Sequence, residues 1–288
     1  ISWRSARPGL RGIEMGDMPV TSLSQDHVQL SQNGYVTTIA FNRPERNNAW
    51  LPAMGERLEE LMRQCAADDS VRVIVLTGNG KHFSAGADME TLKNAITNPV
   101  APHAPRERTD DNFAQRHSYL MAIPKPIICA FNGSAVGVSL VISLFCDIRY
   151  ASDKAKFSAA FAKRGLVAEH GIAWLLPRLI GLGRAFELLA SARLFDAQEA
   201  DRIGLVNAVF PDETFRQEVA KAAAHLAENV SPRSLRIIKR QLYEGTHSTL
   251  AESVHRAEDE LQGCLESDDF REGVTHFIEK RAARFTGR

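Results

Sequence analysis

Hydrophobic positions divide the chain into a front part of short β-branched runs and a rear part of helical periodicity. Val28 to Phe41 alternates and predicts a hairpin, with Asn33-Gly34 as a type I′ turn. Pro52 opens a helix at its first position, and Met54, Leu58, Leu61, Met62 and Cys65 recur at helical spacing on one face. Val71 to Thr77 reads as a buried strand, and Asp88 opens an apolar-periodic segment from Met89 to Ile96. Pro126 to Phe131 is a second strand, followed by an apolar helix from Ser139 to Phe145. Asp147 to Ala151 and Lys156 to Ser158 read as short strands. This recurrence of strand, turn and helix predicts βαβ-type units with parallel pairing. From Pro211 on the pattern is helical, with caps expected at Ser231-Pro232, at Thr249 with Glu252, and at Asp269 with Glu272. Val254, Leu261 and Leu265 share one face, and such faces on helices appended to a complete core usually pack against a partner or fold back.

Two stretches lack periodicity. Lys93 to Gln115 is polar, with Pro99, Pro102, Pro105 and the run Arg106-Glu107-Arg108. It reads as a long surface loop that either covers a site or is a solvated insertion. Residues 1–24 are rich in Arg, Gly, Pro and Ser and carry no apolar core of a secretory signal. They read as an upstream extension; Arg4, Arg7 and Arg11 leave a trimmed organelle-targeting segment as the alternative.

Composition narrows the function. Thirty-five Lys plus Arg balance 35 Asp plus Glu, which argues against an electrostatic nucleic-acid binder. Cys65, Cys129, Cys146 and Cys264 show no paired metal-ligand spacing, so no metal site is expected, and three of them read as small buried hydrophobes in a reducing compartment. No apolar run reaches membrane-spanning length. The cytoplasm is the expected location, with the mitochondrial matrix as the alternative.

The chemistry concentrates where strands meet helices. The strand Val71–Thr77 leads into Gly78-Asn79-Gly80-Lys81-His82-Phe83-Ser84-Ala85-Gly86-Ala87-Asp88. Small residues there let backbone approach a ligand, and a strand-to-helix turn exposes N–H groups to an oxyanion. The second strand leads into Asn132-Gly133-Ser134-Ala135-Val136-Gly137-Val138 in the same way. Two convergent donors, one from each turn, make an oxyanion hole.

On these pieces the chain resembles the crotonase (enoyl-CoA hydratase/isomerase) superfamily. The matching residues are Asn42-Arg43-Pro44 with Asn48-Ala49, Phe83 to Asp88, Pro126-Ile127-Ile128 with Asn132-Gly133, Cys146-Asp147-Ile148, and Phe277-Ile278-Glu279-Lys280-Arg281. They occur in the family's order from about Val28 onward. The resemblance implies an α/β ββα superhelical spiral over residues 25–210, which binds acyl-CoA, and a helical region over 211–288 that builds a homotrimer or a dimer of trimers. Coenzyme A is then part of the substrate, and no separate cofactor is implied.

By the same resemblance the donors are the N–H groups of Ala87 and Val138, with Gly137 as the alternative register. Hydratases of the family hold a water between two glutamates, which fall here at Val141 and Phe161. Neither can carry a proton. In isomerase branches of the family, including the phenylacetate-pathway ring-opening enzymes, an acid sits at the position of Glu169. An apolar helix start follows it, so Glu169 is the expected general base; the alternative is favourable charge at that helix's N-terminus. His170 either tunes Glu169, contacts substrate or is structural. Arg46 and Lys81 lie near the expected CoA entrance, and Phe277 and Lys280 offer contacts from the tail. Ala85, Asp88, Met89, Gly137, Phe161 and Trp174 complete the expected substrate-binding set, although Asp88 and Asp147 also read as turn and cap residues. The expected reaction is an isomerase-type proton shift on an unsaturated acyl-CoA. Water addition is the alternative, and a catalytically silent CoA-binding protein the second.

Overall fold

The computed structural model describes residues 27–97 and 109–288. The expectations for residues 1–24, and for the three prolines and the charged run between positions 98 and 108, lie outside the described residues.

Strands β1 (Val28–Asn33) and β2 (Val36–Phe41) form the antiparallel hairpin. Its turn sits one residue later than the sequence suggests. Asn33 pairs with Val36, so Gly34 and Tyr35 are the corners, and only Gly34 has a positive φ (56°). A type I′ turn needs positive φ at both corners, so this is not one. Helix α1 (Pro52–Ala67) buries the five side chains expected of its apolar face. Strand β3 (Val73–Gly78) leads to α2 (Met89–Thr97), which continues past Lys93, where a loop was expected. After the short α3 (Tyr119–Ala122) come β4 (Ile127–Phe131), β5 (Ala135–Val136), α4 (Val138–Leu144), β6 (Ile148–Ser152) and β7 (Lys156–Ser158). Then follow α5 (Ile172–Ile180), α6 (Leu182–Ser191), β8 (Phe195–Asp196), α7 (Ala197–Arg202) and β9 (Ala208–Phe210). The chain closes with α8 (Asp212–Asn229), α9 (Pro232–Gly245), α10 (Leu250–Leu265) and α11 (Asp268–Glu279).

The large sheet has the order β1-β2-β3-β4-β6-β9 and is parallel beyond its first pair. A small sheet, β5-β7-β8, lies beside it, and Ser84 extends it by a parallel bridge to Ala135. The chain therefore runs from a large-sheet strand to a small-sheet position and on to a helix, twice over: β3, Ser84, α2, then β4, β5, α4. The next turn repeats the strand pair β6 and β7. This is the ββα spiral. One phenylalanine per turn stacks along its inside. Successive ring centroids of Phe41, Phe83, Phe131 and Phe157 are 5.1, 5.1 and 4.9 Å apart, all edge to face, the geometry aromatic pairs prefer.

Helix α8 belongs to the core by its packing. Phe215, Val219, Ala223 and Ala227 cover Val73, Val75, Ile128 and Ala130 on the sheet's other face. The expected boundary at residue 211 thus cuts ahead of a helix that completes the spiral's hydrophobic packing. Helix α9 is fastened to the core through Asp147. This carboxylate accepts from the Ile127 N–H at 2.7 Å, from Lys239 Nζ at 2.8 Å and from the Tyr243 hydroxyl at 2.8 Å. Burial and the adjacent Asp147 charge push the Tyr243 hydroxyl far above its ordinary value.

Thr249 and Glu252 form the capping box expected at the start of α10. The cap of α11 is instead Ser267, which accepts from the Phe270 N–H. Asp269 is buried inside that helix, where it accepts from Ser231 Oγ at 2.5 Å and from the Thr286 N–H at 2.8 Å. Helix α10 buries none of its residues, and Val254, Leu261 and Leu265 stay exposed. Among the described residues no helix is long and apolar enough to cross a membrane.

Candidate active site

The two turns that follow β3 and β5 converge because their backbones touch. The Val136 N–H donates to Ser84 O at 3.1 Å, and Ser139 Oγ lies 3.0 Å from Ser84 O and 2.8 Å from Val136 O. Gly86 permits this approach, since a Cβ there would lie 2.7 Å from Val136 O, and its φ is +86°. Asn48 buckles the first turn from beneath. Its side-chain amide donates to Asn79 O at 2.9 Å and His82 O at 2.7 Å, and its carbonyl oxygen accepts from the Arg43 N–H at 2.7 Å.

Each turn presents one N–H immediately after a glycine of positive φ. Ala87 follows Gly86, and Val138 follows Gly137 (φ 58°, ψ −125°) as the first residue of α4. Neither N–H donates a hydrogen bond to another described residue. The Gly137 N–H is already committed to Ser158 O at 2.9 Å, which leaves Val138 as the available donor of the second turn.

Both residues line a cavity of about 260 Å³ together with Ala85, Gly137, Phe161, Glu169 and His170. Glu169 is the only acidic side chain among the described residues that line it. A third of its side chain is exposed (33%), and its Oε2 lies 3.5 Å from His170 Nε2. His170 has a positive φ (56°) and so does Gly171 (83°), so two consecutive left-handed residues aim this pair ahead of α5. Val141 is fully buried in the core, and Phe161 is a wall of the cavity, so neither two-glutamate position holds a carboxylate.

The other expected residues are dispersed. Trp174 faces a neighbouring chamber, stacked on His247 at 5.1 Å with the Arg178 guanidinium 3.8 Å from its ring centre. Asp88 is not in the cavity wall. It is buried against Arg43 at 3.1 Å and accepts from the Glu90 N–H at 3.0 Å. Burial alone would raise its carboxyl, but those two donors hold it below the usual range. Its contribution to stability is therefore present above the unfolded value, about 3.9, and is lost as pH falls through the folded one. Breaking such a buried pair typically costs about 3 kcal/mol, so Asp88→Asn should move the urea midpoint clearly downward. An unchanged midpoint would contradict this structural role.

Arg46 pairs with Glu90 on the surface, and Lys81 and Met89 are exposed outside the cavity. Phe277 and Lys280 lie in exposed positions at the end of α11, also outside it. Sequence reasoning missed Trp50, Leu92, Arg116, His117 and Arg164, which line the cavity. Trp50 carried a signal, since it follows Asn48-Ala49 directly and pairs with Ala87 in an isolated bridge. Arg116 and His117 carried none, lying at the end of a polar stretch where nothing marks a residue as inward-facing.

Comparison with known proteins gives a consistent picture. The profile of the enoyl-CoA hydratase/isomerase family matches residues 31–288. The 1,2-epoxyphenylacetyl-CoA isomerase of Escherichia coli is 36% identical over 254 residues, covering 88% of this chain and 95% of that protein. A protein of Mycobacterium tuberculosis named probable enoyl-CoA hydratase is 38% identical over 260 residues, covering 87% and 89%. The crystal structure of a probable enoyl-CoA hydratase/isomerase from Mycobacterium abscessus superposes with a TM-score of 0.81 at 28% identity, covering 91% of this chain and 99% of that one.

Proposed function

The chain belongs to the enoyl-CoA hydratase/isomerase family, and from that premise we propose that it shifts a double bond along an unsaturated acyl-CoA. The observation that carries this reading is Glu169, the single carboxylate among the described residues lining a cavity that also receives two uncommitted backbone N–H groups. A thioester gains charge on its carbonyl oxygen when a C2 proton leaves. Two fixed donors stabilise that enolate without reorganising, and each is typically worth about 3 kcal/mol of barrier. Glu169 takes the C2 proton of a 3-enoyl-CoA, and Ala87 and Val138 hold the dienolate. Glu169 then returns a proton at C4, leaving the 2-enoyl-CoA. One group does both transfers, so no second acid is required.

Water addition is the second reading, favoured by the contact between His170 and Glu169. It uses one group to activate water and another to protonate C2, roles that His170 and Glu169 would have to divide. Incubation with a 3-enoyl-CoA and, separately, a 2-enoyl-CoA, with products resolved by chromatography, distinguishes the readings. The proton shift gives 2-enoyl-CoA from the first and no hydroxyacyl product from the second. Binding of both without any turnover would instead support a silent CoA-binding protein.

The assembly belongs to the same proposal. Exposed apolar side chains on α10 and α11, among them Leu261, Phe270 and Ile278, fit a trimer or a pair of trimers. Light scattering at micromolar concentration should give a mass of three or six chains, and a monomer would count against it.

A further inference from the structure

Beyond the reaction cavity lies a second chamber of about 390 Å³. The two share three lining residues, Arg116, His117 and His170. The His117 and His170 rings, 5.2 Å apart and edge to face, form part of the wall between them. The chamber's other sides are largely apolar, with Phe113, Met121, Phe145, Trp174 and Leu175, and no acidic side chain lines it among the described residues.

Arg116 stands at this junction in an ordered turn. The Gln115 N–H donates to Ser118 Oγ at 3.0 Å, and the Leu120 N–H to His117 O at 3.2 Å. Other partly buried arginines have partners. Arg43 pairs with Asp88, Arg57 with Glu60, Arg193 with Glu187 and Glu199, and Arg281 with Glu272. Arg72 and Arg149 bond to carbonyl oxygens. Arg116 is the one partly buried arginine among the described residues with no hydrogen bond, ion pair or ring contact. A guanidinium cannot shed its charge, and it presents a planar fork that matches a carboxylate. Held half-buried without a counter-ion, it awaits one from the ligand.

We infer that the preferred substrate is an acyl-CoA whose acyl group ends in a second carboxylate, with that end in the chamber against Arg116. This rests on the acyl-CoA reading above and specifies the substrate class within it. The apolar walls would take the intervening carbons, and the cation the terminal charge. The CoA phosphates are also anions, but they lie at the opposite end of the thioester from the acyl terminus. The test separates the two sources.

Hexanoyl-CoA and adipoyl-CoA have acyl chains of equal length, one ending in a methyl group and the other in a carboxylate. Neither contains a double bond to shift, so titration calorimetry reads binding apart from turnover. The wild-type protein should bind adipoyl-CoA about 10–100-fold more tightly, the range of a charge-assisted hydrogen bond. In Arg116→Gln that ratio should fall to about one, and Arg116→Lys should restore part of it. Arg116 holds no other group in place, so the thermal midpoints of both variants should match the wild type. Equal binding of the two esters by the wild type would overturn the inference. So would an equal loss for both esters in Arg116→Gln, which would assign Arg116 to the CoA phosphates. An intact preference without turnover of any enoyl-CoA would uphold this inference and refute the proton-shift reading instead.

Discussion

Replacing Glu169 by glutamine should lower turnover by about 10²–10⁴-fold, the range typical of general base catalysis, while affinity for a saturated acyl-CoA stays within a few-fold. The substitution keeps the side chain's volume and its place beside His170 but removes the only carboxylate among the described residues lining the cavity. Steady-state kinetics on a 3-enoyl-CoA, paired with calorimetric titration, separate the two quantities. The competing role for Glu169 is charge at the start of α5, two residues ahead of its cap at Gly171. Such a charge is typically worth about 0.3–1 kcal/mol of stability. If that were its whole role, the variant would melt slightly lower and turn over normally.

The second large effect is expected at Gly137. Its φ of +58° turns the Val138 N–H out of the backbone ladder, and an L side chain rarely adopts that conformation. An added Cβ would meet nothing closer than Ala159 O at 3.7 Å. The damage from Gly137→Ala is therefore conformational, and it falls on the donor that follows. Loss of one oxyanion donor typically costs about 10²–10³-fold in turnover, so kcat should drop by that order with the protein still folded. Gly86→Ala should be harsher, because its Cβ would also press on Val136 O and push the two turns apart. Normal kcat in a folded Gly137→Ala protein would remove Val138 from the account.

The parts of this site that could be read in the sequence are those built from backbone. Strand runs, small residues and helix starts are local patterns, and the spiral aligns them by repeating one unit. That is why Ala87 and Val138, far apart in the chain, line one cavity. Helix α1 was legible for the same reason, since its apolar face follows from spacing alone. What depends on the direction of a polar side chain was not legible from spacing: Glu169 and His170, which line the cavity, were expected only through the family resemblance. Asp88 sits beside a donor, yet its carboxylate turns back to Arg43. Arg116 lies in a polar stretch, yet it borders two cavities. The apolar residues after Pro211 read as one appended tail, although α8 seals the large sheet and only the later helices leave apolar faces open. The hairpin turn slipped by one residue because both Asn33 and Gly34 tolerate positive φ, and strand register chose between them.

On the proton-shift reading one carboxylate carries a proton from C2 to C4 and no water is added. A 3-enoyl-CoA deuterated at C2, turned over in water enriched in oxygen-18 and quenched early, tests it in one mass spectrum. Glu169 is partly exposed, so exchange with solvent will dilute the label. The expected product is 2-enoyl-CoA with deuterium at C4 in a measurable share of molecules and no heavy oxygen. Unconverted 3-enoyl-CoA would contradict it, because water adds only across the conjugated C2–C3 bond of a 2-enoyl-CoA, and so would a product carrying oxygen-18 at C3.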